Sequence, residues 1–279
     1  MLSTITYIRE RLSSLYSERD INTFIRWLME EIAHVPPYRL IMKDEKLEKK
    51  VKEKIIEATE RLTKFEPIQY IIGETFFNGH TFKVTPDVLI PRPETVQLVQ
   101  WIIQDYKGKA ASILDIGTGS GCIAISLALE LHKAKVSGVD VSQKALSVAQ
   151  NNSKENDVAI NWLLLDILSD NALSLLERYD CIVSNPPYIM EKEKVTMERN
   201  VLDYEPKLAL FVPDNDPLLF YRRIAQLGKT ILKKGGNLYF EINESCAAET
   251  IDLLKGENYQ KIELAVDYNG KDRFIKAGL

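Results

Sequence analysis

The 279-residue chain is poor in the side chains that hold metals and cross-links. Its three cysteines, Cys122, Cys181 and Cys246, are odd in number, far apart and outside any C-x-x-C pair. That argues against a disulfide framework and a zinc site, and it fits a reducing compartment. His34, His80 and His132 are equally scattered, so no metal site is expected. No apolar run is long enough to span a bilayer. The opening "MLSTITYIRERL" becomes charged before an apolar signal core can form. A cytoplasmic protein with no membrane partner is the expectation. Positive charge is not in excess either: the net charge is −4. Stable nucleic-acid binding usually leaves a basic footprint, so none is expected. Internal repeats and Gly/Ser linkers are missing. With 45% hydrophobic residues, a chain of this length can bury a full core as a monomer without covalent staples.

Residues 1–73 read as helices. In "DINTFIRWLMEEI", Ile21, Phe24, Ile25, Leu28 and Ile32 recur at helical spacing behind Asp20, a plausible N-cap. A second helix is expected in "DEKLEKKVKEKIIEATERL", with Leu47, Val51, Ile55 and Leu62 on one face. Its many Lys and Glu residues fit a solvated face with i,i+4 pairs. Residues 74–92 change character: "TFFNGHTFKV" places Asn78–Gly79 between aromatic and β-branched residues, a hairpin signal. A semi-rigid joint is expected there. Pro93 then opens a new helix. From residue 111 strands and helices alternate, which predicts a mostly parallel α/β sheet, doubly wound with helices on both faces. The last two strands, in "YQKIELAVD" and "RFIKA", are joined by too few residues for a crossover and should pair antiparallel. The expected organisation is a small helical domain over 1–73, a hairpin linker over 74–92 and an α/β domain over 93–279.

The first strand of that domain ends in "LDIGTGSG". Gly117, Gly119 and Gly121 alternate through the turn into a helix. Glycine lets a ligand approach the backbone, and free N–H groups at a helix start suit an anionic ligand group. Asp140 ends the next strand, where a carboxylate can accept both hydroxyl hydrogens of a ribose; it can also cap the helix starting near Ser142. Asp166 ends the third strand and can accept from an adenine amino group, with Ile167 covering the adenine face. The G-x-G-x-G spacing is not the dinucleotide pattern. Asp115, just before the loop, would repel a pyrophosphate and attract a sulfonium or an α-amino group. S-adenosylmethionine is favoured, and NAD stays open.

The fourth strand, "YDCIVS", runs into "NPPYI" at the same sheet edge. Two prolines cannot belong to a paired strand. The turn suits a planar nitrogen bearing two hydrogens, a poor nucleophile because its lone pair is delocalised. The Asn185 side-chain oxygen and the Pro186 carbonyl can hold both hydrogens, and Tyr188 can stack over the plane. Orientation of this kind can lower a barrier by roughly 7–11 kcal/mol. A glutamine amide and an adenine amino group both qualify.

"DIGTGSG", "VDVSQKAL" and "SNPPYI", in this order, resemble the class I methyltransferases that modify nitrogen. "PIQYIIG", "VLIPRPET" and "EPKLAL" narrow the resemblance to the release factor glutamine methyltransferase family, from about Pro67 to "GKDR". The resemblance implies methyl transfer from S-adenosylmethionine to the side-chain amide of the glutamine in the Gly-Gly-Gln loop of peptide chain release factors. It implies cofactor contacts at Gly117, Thr118, Gly119, Ser120, Gly121, Asp140, Asp166, Ile167 and Asn185. It implies a substrate turn of Asn185, Pro186, Pro187 and Tyr188, with Asn185, Pro186 and Tyr188 catalytic. The chain departs from the family pattern at Val96, where Glu is usual, in the glycine-free "FVPDNDPL", and at Asn243 in "EINESC". Methylation of a ribosomal-protein glutamine or of an adenine N6 is the alternative.

Overall fold

The alternation from residue 111 becomes a seven-stranded sheet in the computed structural model, which describes residues 1–41 and 47–279. The chain divides into two units: 1–74 with 198–204, and 75–197 with 205–279.

In the first unit, helices α1 (Leu2–Leu12), α2 (Glu18–Trp27), α3 (Lys49–Leu62) and α4 (Ile68–Ile72) enclose an apolar core. Ile21, Ile25 and Leu28 are buried there, as the helical spacing demands, with Ile55 and Leu62 facing them from α3. The α2 cap is Ser17 rather than Asp20: the Ser17 hydroxyl accepts from the Asp20 N–H, so the helix starts a turn earlier than expected. The expected start of the second helix at Asp44 lies outside the described residues; α3 is helical from Lys49.

In the second unit, β1 (Glu74–Phe77) and β2 (His80–Lys83) form the hairpin turned by Asn78 and Gly79, both at positive φ. Asn152 grips β2, accepting from the Lys83 N–H at 2.7 Å and donating to its carbonyl at 3.0 Å. Then follow α5 (Thr95–Tyr106), β3 (Ser112–Ile116), α6 (Cys122–Glu130), β4 (Lys135–Asp140), α7 (Gln143–Glu155), β5 (Asn161–Leu164), α8 (Ala172–Leu175) and β6 (Tyr179–Ser184). The long connection after β6 contains β7 (Ile189–Met190) and β8 (Phe211–Val212), a parallel pair. Between them α9 (Arg199–Tyr204) belongs to the first unit, where the Arg199 guanidinium lies over the Phe65 ring and the Tyr204 hydroxyl donates to the Lys64 carbonyl. Finally come α10 (Leu219–Ile231), β9 (Leu232–Glu241), α11 (Ala247–Gly256), β10 (Gln260–Val266) and β11 (Asp272–Gly278).

The sheet order is β10-β11-β9-β6-β3-β4-β5, with β11 antiparallel to both of its neighbours. Successive side chains of the central strands alternate between two buried faces. Ile113, Cys181, Val183 and Tyr239 meet α5 and α6 on one side. Leu114, Ile116, Ile182, Leu238 and Phe240 meet α10 on the other. Burial on both faces is why these strands read as continuous apolar runs. The chain crosses from β5 to β6 on the far side of β3, so a crevice opens between β3 and β6 at their carboxyl ends. Among the described residues, no helix is long and apolar enough to cross a membrane.

Candidate active site

Register brings the strand ends level. Ile116 stands opposite Val139 and Ser184, and Asp140 opposite Leu164. The Ser184 hydroxyl donates to the Ile116 carbonyl at 2.7 Å and clasps β6 to β3 where the crevice begins. A cavity of about 240 Å³ lies there, and Gly117, Gly119, Asp140, Asp166, Ile167 and Asn185 line it. Pro186 and Pro187 also reach it.

Gly117 and Gly119 sit at φ +72° and +56°, a conformation that disfavours any side chain. A Cβ at either would meet nothing within 4 Å, so the space beside them is open. The residues between the glycines turn inward instead. Thr118 is buried and donates to Asp115 Oδ2 at 2.6 Å. Ser120 is buried, and its carbonyl accepts from Asn152 Nδ2. Gly121 caps α6, where a Cβ would press on Ile125 and Trp162 at 3.0 Å. The side chains of Thr118 and Ser120, and the Cβ position of Gly121, thus shape the loop from behind, while Gly117 and Gly119 line the cavity.

Asp140 Oδ2 accepts from the Gly119 N–H and Oδ1 from the Ser142 N–H, each at 2.9 Å. Each oxygen keeps a lone pair for a ligand hydroxyl. Burial raises its pKa, and these N–H groups oppose the rise. Asp166 is exposed, with Oδ1 on the Leu168 N–H, while Ile167 is buried beside it. Asp115 departs from expectation. It is fully buried and does not line the cavity, and burial pushes its carboxyl up to about 7. Hydrogen bonds from Thr118 and the Ala124 backbone oppose the rise.

The residues present fit an adenosyl ligand: open space at two glycines, a carboxylate with spare lone pairs at the end of β4, and an apolar shelf at Ile167. Among the described residues, no group of three or more His, Cys, Asp or Glu side chains is arranged to hold a metal ion.

At the other end of the cavity, Pro186 is buried, and among the described residues nothing donates to its carbonyl. Asn185 Nδ2 lies 3.5 Å from Thr95 Oγ1. The Thr95 hydroxyl in turn donates to Glu241 Oε2 at 2.6 Å. Tyr188 is half-buried at the end of the turn. Its ring packs against the core face shared with α10, and its hydroxyl faces Arg273. Burial pushes the phenol pKa well up, so it stays protonated. Its carbonyl accepts from Asn243 Nδ2 at 3.4 Å, while Asn243 Oδ1 accepts from the Ser245 N–H. Asn243, a departure from the family pattern, thus ties the proline turn to the end of β9. Val96 packs against the apolar core.

Arg92, Thr95, Glu205, Glu241 and Arg273 stand in segments that carry the resemblance, but no local pattern gives their side chains a role. The Arg92 guanidinium pairs with the buried Glu205 carboxylate at 2.7 Å, and Glu205 Oε2 also accepts from the Ile90 N–H. The pair ties "IPRPET" to "EPKLAL". The local signal was an ionisable residue beside a proline in each segment.

Comparison with known proteins gives the family and the fold. Residues 95–203 match the model of the methyltransferase small domain, and residues 3–73 match the PrmC N-terminal domain. The release factor glutamine methyltransferase of Bacteroides thetaiotaomicron is 44% identical over 272 residues, covering 97% of both chains. The chain belongs to the release factor glutamine methyltransferase family. The enzyme of that name from Flavobacterium psychrophilum is also 44% identical, over 97% of this chain and 96% of its own. Members of the family draw their methyl group from S-adenosylmethionine. Two solved structures share the fold at low identity. A Pyrococcus furiosus methyltransferase has a TM-score of 0.51 and 15% identity, over 71% of this chain and 87% of its own. A T. thermophilus 16S rRNA N2 methyltransferase, in complex with AdoMet and guanosine, has a TM-score of 0.52 and 19% identity, over 74% of this chain and 49% of its own.

Proposed function

We propose that the chain methylates the side-chain amide nitrogen, N5, of the glutamine in the Gly-Gly-Gln loop of peptide chain release factors. S-adenosylmethionine, when bound, supplies a methyl carbon made electrophilic by its sulfonium. Gly117 and Gly119 admit the ligand against the backbone, Asp140 accepts from its ribose hydroxyls, and Asp166 and Ile167 receive the adenine. Asn185 and Pro186 hold the acceptor amide, with Pro187 stiffening the turn. Tyr188 fixes the turn from behind.

The observation that carries this reading is a pair of acceptors with no protein donor. Among the described residues nothing donates to Asn185 Oδ1 or to the Pro186 carbonyl, and both residues line the cavity that holds the glycines and Asp140. A planar NH₂ has two hydrogens to give and a delocalised lone pair to redirect. Held at two points, its lone pair faces the methyl donor. No strong base is required before attack, because the nitrogen becomes acidic as it gains positive charge. The 1–73 helices are proposed to grip the release factor, the 74–92 hairpin to join them to the catalytic domain over 93–279, and the enzyme to act as a cytoplasmic monomer without stable nucleic-acid binding.

The test incubates the chain with methyl-labelled S-adenosylmethionine and a release factor. Label should appear on the parental factor and not on one carrying Gln→Glu in the Gly-Gly-Gln loop. Equal labelling of both overturns the assignment.

A further inference from the structure

We propose that Thr95 and Glu241 are a positioning pair that sets which way round the Asn185 amide stands, and so makes the turn accept an NH₂ group. This rests on the assignment of Asn185 to the acceptor amide. An asparagine side chain has two ends of nearly equal size and opposite character. Turned one way it offers the acceptor an oxygen. Turned the other way it offers N–H groups to a substrate that also presents N–H groups, and binding is lost. Nothing in the proline turn itself makes the choice.

The hydrogen-bond inventory does. A threonine hydroxyl carries one proton and two lone pairs, and an ionised carboxylate accepts only. Glu241 Oε2, 2.6 Å away, takes the Thr95 proton when Glu241 is ionised. Thr95 Oγ1 is left with lone pairs alone toward Asn185, and it stands 3.5 Å from Nδ2. The Asn185 end that faces Thr95 must therefore be the NH₂. One of its hydrogens goes to Thr95 and the other remains for the substrate carbonyl, while Oδ1 is left for the substrate NH₂. That arrangement fits a primary amide at both ends and rejects a carboxylate. Thr95 and Glu241 are each only 2% exposed, so bulk water does not replace either partner. The three residues come from the start of α5, the end of β9 and the turn after β6, and the sheet order places them together. Neither Thr95 nor Glu241 lines the cavity, so they act through Asn185.

The test measures steady-state methyl transfer by the full chain, with cofactor affinity and melting temperature taken separately. Thr95→Val keeps the shape and removes the hydroxyl. Its kcat should fall about tenfold, the order of one hydrogen bond, while KM for the release factor and cofactor affinity change less than about twofold. Thr95→Ser restores the hydroxyl and should return kcat to within about threefold of the parent. Glu241→Gln can accept or donate toward Thr95 and so loses the bias; its kcat should fall between the parent and Thr95→Val. If Thr95→Val is poorly folded, Thr95→Ser and Glu241→Gln still decide. Parental kcat in Glu241→Gln or in a folded Thr95→Val overturns the pair. So does a Thr95→Ser as slow as Thr95→Val, or a kcat loss matched by an equal loss of cofactor affinity. Failure of the parental chain to label a release factor at all overturns the acceptor assignment instead.

Discussion

Asp140 and Glu241 both end parallel strands at the same edge of the sheet, and they are treated in opposite ways. Asp140 faces the cavity, takes one backbone N–H on each oxygen and keeps lone pairs to spare. Glu241 is sealed away, and among the described residues the Thr95 hydroxyl donates to its carboxylate. Burial lifts its carboxyl to about 7, with the Thr95 bond and the Arg273 charge pulling the other way. One carboxylate is placed to meet a ligand, the other to orient a neighbour that does. Position along a strand end therefore does not assign a role. What decides is whether the carboxylate opens into the cavity or onto a second side chain.

The largest effect should come from closing the ligand side of this comparison. Gly119→Val places a branched side chain in the open space beside the loop and at a positive φ it resists. Binding of S-adenosylmethionine should be abolished while the melting transition remains cooperative; calorimetry showing parental affinity would sink the cofactor assignment. On the orienting side, Asn185→Ala removes the group that Thr95 and Glu241 serve. Single-turnover transfer at saturating cofactor should slow at least about a hundredfold, or about 2.7 kcal/mol. Cofactor affinity should fall far less. Near-parental rate would reduce Asn185 to a turn residue.

The two sides were not equally legible in the sequence. Gly117, Asp140, Asp166 and Asn185 each end an apolar run at a turn, and that local signal placed all four on one edge. The β10–β11 pairing was legible too, because a short loop forbids a crossover. The insertion of β11 between β9 and β10 was not, since strand order depends on packing far along the chain. Thr95 and Glu241 are 146 positions apart, so no window of sequence contains their bond. Thr95 reads as a helix start and Glu241 as the polar end of a strand. Inside the glycine loop the spacing was legible, but which side chains turn inward was not: Thr118 and Ser120 are buried on either side of Gly119, which takes positive φ. Nor does a charged letter in a sequence reveal that the Asp115 carboxyl is fully buried. The six helical residues of α9 carry too little periodicity to show in the sequence, and only packing assigns 198–204 to the first unit.

Asp140→Ala sharpens the comparison by a smaller amount. It removes the ribose partner and also frees the Gly119 N–H, so both loop and ligand lose a charged acceptor. Cofactor affinity should weaken by about 1.5–3 kcal/mol. Calorimetry should show this with little change in rate at saturating cofactor, in contrast to Asn185→Ala.

The remaining effect is on stability; it tests the buried side, and its sign depends on pH. The ordinary carboxyl value for Glu241 is 4.5, and in the fold it stands near 7. Between these values the unfolded chain has released the proton and the folded chain keeps it. Folding then takes up a proton, so this group's contribution to stability falls as pH rises through the window. Glu241→Gln has no proton to lose. Asp115, also raised to about 7, is present in both chains and cancels from the comparison. So do Arg92, Glu94 and Arg273, whose charges act on Glu241, and Tyr188 and Tyr221, which lie beside it with pKa values raised by burial. Measured by urea unfolding, the variant should gain on the parent by about 2–3 kcal/mol between pH 5 and pH 8. A difference that is flat with pH would mean that Glu241 is already ionised at pH 5, and the contrast with Asp140 would then lie in geometry alone. A gain in the stated direction has a consequence for catalysis. The pH range in which ionised Glu241 holds the Thr95 proton, and Asn185 is oriented for an amide, is the range in which the same carboxylate costs the fold stability.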